Sequence, residues 1–161
     1  MFTYMNVARI GTASQGVSAA ERSYQGASAY ARDRLAMRSI SGVKNPEGPA
    51  DAIIEHPDVR RMLLTQRAIA EGGRAMVTYA SQFADVYRGG KTQEAKKAAE
   101  DRLGFCTPIL KGFITELGVE AANHGVQVFG GHGYIKEWGM EQILSCLLYT
   151  SPSPRDVEET R

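Results

Sequence analysis

The chain has 161 residues, and its 19 basic against 18 acidic residues give a formal net charge of +1. This balance lacks the basic excess typical of nucleic-acid binding, and no apolar run approaches the roughly 20 residues of a membrane span. The two cysteines form no CxxC pair, the three histidines lack metal-ligand spacing, and residues 1–20 lack a signal-peptide pattern. We therefore expect a soluble cytoplasmic chain without a metal site, long enough for one domain or part of a larger one.

Apolar residues in the first segment recur every three or four positions, as in a helix that packs on one face. We predict this helix over residues 3–36. Its apolar stripe is rich in alanine, so that a neighbouring helix could approach closely. The stripe consists of Ile10, Ala13, Val17, Ala20, Tyr24, Ala27 and Ala31. A long connection, "SISGVKNPEGPADAIIEHP", follows without helical periodicity, and a loop of this length is more often functional or packed on a neighbour than idle.

Three further helices are predicted, over residues 57–88, 92–129 and about 136–144. Pro57 suits the first turn of the second helix. Pro108 lies inside the third helix, where its ring clashes with the carbonyl four residues back, so we expect a kink that does not end the helix. No segment alternates as a strand would. The predicted fold class is therefore all-α, an antiparallel helical bundle.

The segment "QVFGGHGYIKEW", residues 127–138, is unusually rich in glycine. Glycine loops that bind phosphate precede a helix, whereas this one follows a long helix, at its carbonyl end. The spacing also differs from G-x-G-x-x-G, and no strand precedes it, so a Rossmann site is not favoured. A glycine C-cap and turn is one interpretation. It leaves the third glycine unexplained, and glycines beside polar and aromatic groups suggest a flat ligand lying against the backbone.

The string "QVFGGHGY" resembles the flavin-contacting segment Q-x-x-G-G-x-G-[YF] of the acyl-CoA dehydrogenase family. The likeness covers residues 1–143, where "MNVARIGTASQG" resembles that family's first C-terminal-domain helix. The stretch "NPEGPADAIIEHPDVRRMLLTQRAIAEGGRAM" resembles the larger bacterial members that include 3-methylmercaptopropionyl-CoA dehydrogenases. The resemblance implies the fold of the family's C-terminal helical domain, without its N-terminal helices and β-domain. It also implies that Met1 stands at an internal methionine of a longer gene.

The resemblance assigns cofactor or substrate contacts to six residues. Arg34 corresponds to an arginine that reaches the FAD diphosphate of a neighbouring subunit. Gln127 and Gly131 correspond to residues that contact the ADP half of that FAD, and Gly130 allows its close approach. Asn6 and Arg9 match positions on the acyl-binding side of the active site. Met37 and Arg38 stand where the family usually has Phe-Gly, so the aromatic flavin contact is not expected here.

The family's chemistry is α,β-dehydrogenation of an acyl-CoA thioester, in which a carboxylate removes the α-proton and the β-hydrogen leaves as hydride to the flavin. The resemblance implies acyl-CoA as substrate, electron-transfer flavoprotein as acceptor, and a homo-oligomer, dimer or tetramer. The family's glutamate lies in a Tyr-Glu-Gly-Thr segment that is absent here. Glu137 and Glu141 follow the glycine loop, but acidic residues in a first helical turn need no catalytic explanation. No catalytic residue is predicted in this chain, which we expect to be inactive by itself.

The composition changes after residue 143 to "LSCLLYTSPSPRDVEETR". Residues 144–161 resemble translated sequencing-adapter read-through, and a disordered native tail is the alternative; in either case residues 145–161 are expected to lack stable contacts. A second functional hypothesis is a non-catalytic helical interaction module that binds a partner through the alanine-rich stripe.

Overall fold

The computed structural model of the protein describes residues 2–148 and the side chains of residues 5–147, and this part of the chain forms four α-helices. The helices are α1 (Phe2–Asp33), α2 (Pro57–Gly89), α3 (Gln93–Phe129) and α4 (Met140–Leu148). Three short 3-10 helices cover Ile53–Glu55, Gly130–Tyr134 and Lys136–Trp138. No strand occurs within residues 2–148, and the predicted all-α class is confirmed. No helix in this part of the chain combines the length and apolar character needed to cross a membrane.

α1 and α3 lie side by side and run parallel. Thr107 donates its hydroxyl to Asn6 Oδ1 over 2.9 Å, and Ser23 Oγ lies 3.1 Å from the carbonyl oxygen of Ala121. Residue numbers therefore rise together along the two helices. A chain that passes from one helix to a parallel one must return in between, and α2 is that return.

α2 is antiparallel to its two neighbours and closes a three-helix core. Gln66 Oε1 lies 3.0 Å from Ser23 Oγ, whereas Gly73, about two turns further along α2, faces the earlier residue Val17. The three long helices thus alternate in direction, as predicted for an antiparallel bundle. α4 crosses one end of this core, where the Met140 side chain approaches α1 and α3.

Small residues allow α1 and α3 to pack closely. A Cβ atom added to Gly118 would lie 3.1 Å from Gly16 Cα, and one added to Gly16 would lie 2.9 Å from the carbonyl oxygen of Ile114. The four alanines of the predicted stripe have no exposed surface; they are Ala13, Ala20, Ala27 and Ala31. The alanine-rich stripe is therefore buried inside the bundle. The hypothesis of a module that binds an outside partner through this stripe is therefore not favoured.

α1 ends at Asp33, three residues before the predicted end at residue 36. The chain leaves the helix because its next backbone groups bond elsewhere. Leu35 forms an isolated antiparallel bridge with Ala52, and the Ala36 N–H donates to the Asp51 carbonyl over 3.0 Å. These bonds join the two ends of the long connection.

The predicted bounds of α2 and α3 are confirmed to within one residue. Pro57 occupies the first turn of α2. Thr92 caps α3, because its Oγ1 accepts the Ala95 N–H over 3.2 Å. Pro108 lies within α3 without ending it, as predicted.

The fourth helix begins later and ends later than predicted. Lys136–Trp138 forms a separate 3-10 helix, and Gly139, with φ of 67°, separates it from α4. Residues 145–148 belong to α4, and Leu147 is buried at 2% exposure, contrary to the prediction that stable contacts end at residue 144. Residues 149–161 lie outside the described part of the chain.

Candidate functional site

The three glycines of the segment 130–133 differ in what the structure requires of them. Gly130 ends α3 at φ 59° and ψ −132°, a conformation that disfavours residues with a Cβ atom, and its N–H donates to the Gln127 carbonyl. Gly133 is packed so closely that an added Cβ would lie 2.5 Å from the Val126 carbonyl oxygen. An added Cβ on Gly131 would meet nothing within 4 Å, and Gly131 has no positive φ. Neither packing nor conformation within the described residues requires a glycine at position 131.

Gly131 borders an open depression of about 610 Å³ at one end of the bundle. The depression lies between the end of α1, the 3-10 helix Ile53–Glu55 and the glycine segment. Its lining residues are Tyr30, Arg34, Ala36, Ile53, Val128, Phe129, Gly130, Gly131, His132 and Ile135. Arg34 supplies a fixed positive charge, and none of these lining residues is acidic. The depression therefore has the charge and the partly apolar wall that a nucleotide-like anion requires.

The structure brings Arg34, Gly130 and Gly131 to one depression and leaves Gln127 outside its lining. Gln127 lies in the last turn of α3 with an exposed side chain, and its backbone carbonyl caps the helix end. A contact of its side chain with a cofactor stays a prediction.

Tyr30 and His132 are part of this depression and were missed in the sequence. Tyr30 Oη lies 2.7 Å from His132 Nδ1, and the Tyr30 ring stacks on Phe129 with 4.2 Å between centroids. Trp138 meets the Tyr30 ring edge-on at 5.4 Å. Tyr30 lies one helical turn before Arg34, and this spacing on one face of α1 was the available signal. Together these rings fix the glycine segment against the end of α1.

Asn6 and Arg9 lie far from this depression. At 1.5 Å per residue along α1, they are roughly 40 Å from Arg34. Asn6 is buried and its Oδ1 accepts the Thr107 hydroxyl, while Arg9 is half-buried. The six predicted contact residues thus fall into two groups at opposite ends of the bundle.

Glu137 and Glu141 do not line the depression. Glu137 is exposed in the 3-10 helix Lys136–Trp138, and Glu141 is half-buried in the first turn of α4. The absence of a catalytic role for either carboxylate stays a prediction.

The connection 34–56 is an ordered loop built around the buried carboxylate of Asp51. Asp51 Oδ2 accepts the Ser39 N–H over 2.8 Å, and Oδ1 accepts the N–H groups of Asn45 and Lys44 over 2.7 Å and 3.0 Å. The bond from Ser39, followed by those from Asn45 and Lys44, lowers the pKa of Asp51 from 3.8 to about 2, although burial opposes the shift. Arg38 Nη1 lies 3.4 Å from Oδ1.

This loop holds Arg34 at the depression. The Ile53 N–H donates to the Arg34 carbonyl over 2.9 Å, and the Asp51 N–H donates to the Met37 carbonyl over 2.9 Å. Met37 itself has φ of 59°, a conformation that is unfavourable for a residue with a side chain. The surrounding hydrogen bonds of the loop maintain it. Asp51 therefore acts on the site indirectly, through the backbone that carries Arg34.

We expect Asp51→Asn to lose stability in a pH-dependent manner. The pKa of Asp51 in the folded chain is about 2, below its ordinary 3.8, so the carboxylate stabilises the fold above about pH 4. That contribution is lost as pH falls toward 2. Urea unfolding at several pH values should show a difference between wild type and Asp51→Asn that is full at neutral pH and disappears near pH 2. Asp85→Asn, which removes an exposed charge far from the loop, is the control; a pH-independent difference for Asp51→Asn contradicts the assignment.

The chain is similar in sequence to a family of known proteins. The profile of the acyl-CoA dehydrogenase C-terminal domain matches residues 1–151. The chain is 46% identical over 143 residues to 3-methylmercaptopropionyl-CoA dehydrogenase of Ruegeria pomeroyi, covering 89% of this chain and 24% of that protein. It is 31% identical over 151 residues to a butyryl-CoA dehydrogenase of Syntrophomonas wolfei, with 93% and 24% covered. A broad-specificity linear acyl-CoA dehydrogenase of Mycobacterium tuberculosis is 30% identical over 149 residues, with 89% and 24% covered.

The chain thus spans about a quarter of the length of these relatives, which is 24% in each case. The profile match covers nearly all of its residues, and the four helices have the all-α character of that domain. The chain belongs to the acyl-CoA dehydrogenase family, in which it corresponds to the C-terminal helical domain.

Proposed function

We propose that this helical domain supplies one wall of an FAD site shared between subunits of an acyl-CoA dehydrogenase. The observation that carries the proposal is Gly131. Glycine is required there neither by backbone conformation nor by packing, and the position opens on the depression that contains Arg34. A ligand that approaches the backbone closely accounts for the missing side chain, and a diphosphate accounts for the guanidinium.

In this proposal the domain's own residues bind and orient the cofactor. Arg34 pairs with the diphosphate, while Gly130 and Gly131 let the ADP portion lie against the backbone, next to Gln127. Tyr30 and His132 hold the glycine segment in position through their 2.7 Å contact. Bound FAD supplies the hydride acceptor for dehydrogenation. None of these groups transfers a proton, in keeping with the absence of a carboxylate in the lining.

The proposed substrate is an acyl-CoA thioester. The relatives' names cover 3-methylmercaptopropionyl-CoA, butyryl-CoA and linear acyl-CoA substrates. Because the chain is 46% identical to the Ruegeria protein, 3-methylmercaptopropionyl-CoA is the first substrate to test in a protein of the relatives' length. Asn6 and Arg9 would lie on the acyl side of a second site, at the other end of α1. We place the protein in the cytoplasm, as a homo-oligomer that reduces electron-transfer flavoprotein.

Arg34→Ala is expected to weaken ADP and FAD binding by about tenfold or more, because charge-assisted hydrogen bonds to the diphosphate are lost. Isothermal titration of the purified chain with each nucleotide measures the effect. Arg32→Ala is the matched control, since Arg32 also lies at the end of α1 but lines a different depression. Equal binding by the two variants, or no ADP binding by the parent chain, contradicts the proposal.

Gly131→Val provides a second arm of the same experiment. It should leave the urea midpoint unchanged, because nothing in the described residues lies within 4 Å of the added Cβ, and yet block nucleotide binding. Gly72→Val, at a similarly open position on α2, should leave binding intact. Loss of stability in Gly131→Val beyond that of Gly72→Val would show that this glycine is structural.

A further inference from the structure

A second depression, of about 290 Å³, lies between α1 and α2 and is called the α1–α2 cleft below. Tyr24, Ser28 and Arg32 form its α1 side. They are four residues apart and so follow one another along one face of the helix. The 3-10 helix Ile53–Glu55 contributes its last two residues to the lining, and the rest comes from α2. Because the cleft shares no lining residue with the depression of the proposed flavin site, it is a separate candidate site.

The Ser28 hydroxyl is a buried polar group without a partner in the described part of the chain. Ser28 is 6% exposed. Ser14 and Ser18 on the same helix donate to the carbonyl four residues back over 3.0 Å and 2.9 Å, whereas the Ser28 side chain makes no hydrogen bond within residues 2–148. Every side-chain oxygen that these residues enclose completely does have a partner, so the Ser28 oxygen reaches the cleft. A group that enters the cleft would therefore satisfy it.

The cleft is positively charged, and one of its charges is unpaired. It is lined by three arginines and one glutamate, which are Arg32, Arg60, Arg67 and Glu55. Arg60 donates to Glu55 Oε2 over 2.6 Å. Arg67 donates to Glu71 Oε1 over 2.7 Å. The Arg32 side chain has no ion pair or hydrogen bond within residues 2–148, so that its guanidinium is free to bind an anion.

Apolar side chains form much of the remaining wall. Ile54, Leu63 and Leu64 line the cleft together with Tyr24. A ligand that fits must therefore combine a negative charge with an apolar body. A carboxylate suits the charged end, because its two oxygens match the planar fork of one guanidinium and can also accept a hydroxyl hydrogen. A phosphate dianion would leave further oxygens and a second charge against apolar wall. The volume is small for a ligand site, which indicates a small molecule.

We propose that the α1–α2 cleft binds a small organic anion, a carboxylate on a short aliphatic chain. Arg32 pairs with the carboxylate, the Ser28 hydroxyl donates to one of its oxygens, and the aliphatic chain lies against Leu63 and Leu64. Binding involves no covalent step. The proposal does not depend on the flavin site, so the two can fail separately.

Titration of the complete, isotope-labelled 161-residue chain with hexanoate, followed by the NMR signals of its backbone amides, tests the site. We expect the amides of Ser28, Arg32 and Leu64 to shift and saturate with a dissociation constant of about 1 mM, as suits a ligand with few atoms. Arg32→Ala should raise this constant about tenfold or more. Arg22→Ala, which removes another exposed arginine of α1 outside the cleft, should leave it unchanged. No saturable shift in the parent chain, or equal constants in the two variants, overturns the proposal.

Ser28→Ala tests the buried hydroxyl. The dissociation constant of hexanoate should rise about three- to tenfold, because one hydrogen bond is lost. Ser14→Ala, which removes a hydroxyl of α1 outside the cleft, should leave it unchanged. Circular dichroism checks that each variant is folded. An unchanged constant in folded Ser28→Ala shows that the hydroxyl does not contact the ligand and overturns the proposed binding mode.

Two further probes separate the charge of the ligand from its chain. Hexan-1-ol lacks the carboxylate and inorganic phosphate lacks the aliphatic chain, and we expect each to bind about tenfold more weakly than hexanoate or worse. Phosphate that binds as tightly as hexanoate would mean that charge alone suffices, which contradicts the carboxylate assignment. Hexan-1-ol that binds as tightly would contradict the role of Arg32.

Discussion

Mixed with FAD, a panel of acyl-CoA thioesters and an artificial electron acceptor, the purified chain is expected to give no turnover above a protein-free control. Its 161 residues contain no Tyr-Glu-Gly-Thr segment, and Glu137 and Glu141, which follow shortly after the glycine loop, lie outside the depression. A positioned general base contributes on the order of 10²–10⁴-fold to the rate. An FAD held only by Arg34 and the glycine segment would also lack an oriented ring to receive hydride.

The assay needs a positive control and a variant that reports on the site. The butyryl-CoA dehydrogenase of Syntrophomonas wolfei, assayed in parallel on butyryl-CoA, shows that acceptor and substrates are competent. Turnover by the chain that disappears in Arg34→Ala would contradict the prediction. It would direct attention to Glu137 and Glu141 as bases, and Gln substitutions at each would then identify the one that acts.

Ile114→Ala is expected to lower the free energy of unfolding by about 2–5 kcal/mol. Ile114 is 1% exposed and lies where the three long helices meet. Its Cδ1 atom would be 3.3 Å from a Cβ added to Gly73 on α2, and its carbonyl faces Gly16 on α1. Because the surrounding helices are rigid at these close contacts, the cavity cannot collapse fully. Such a loss is a large part of the roughly 5–15 kcal/mol that stabilises a typical domain.

Urea unfolding followed by circular dichroism measures this effect. Leu64→Ala is the matched control, because it removes a similar aliphatic side chain from a position that is 66% exposed. Its effect should stay within about 0.5 kcal/mol. If the two variants shift the unfolding free energy equally, Ile114 does not occupy the centre of the bundle.

Much of the fold follows from local patterns in the sequence. The periodic apolar residues and Pro57 at a first turn predict α2 and α3 to within one residue, because these signals act within one or two helical turns. The end of α1 was not predictable in this way. It depends on backbone bonds to Asp51 and Ala52, which are distant in sequence.

The candidate site was predicted in part. Arg34, Gly130 and Gly131 were identified from the resemblance of "QVFGGHGY" and its companion segments to a known family, and they meet at one depression. Tyr30 and His132 were missed because their contact joins positions 102 residues apart. The same limit affected the end of α4, since the burial of Leu147 depends on the bundle that it packs against and not on its neighbours in sequence.

The all-α class, the family and the position of the glycine segment after a long helix follow from the sequence, since each rests on residue type and local spacing. The roles of the alanines and glycines depend instead on how the helices pack. The alanine-rich stripe, which was equally suited to an outside partner, is buried because α1 and α3 run parallel in close contact. Likewise, Gly133 is needed for packing against Val126 while Gly131 faces open space. The free space around a glycine is set by parts of the chain that are distant in sequence, so it cannot be predicted from the residues next to that glycine.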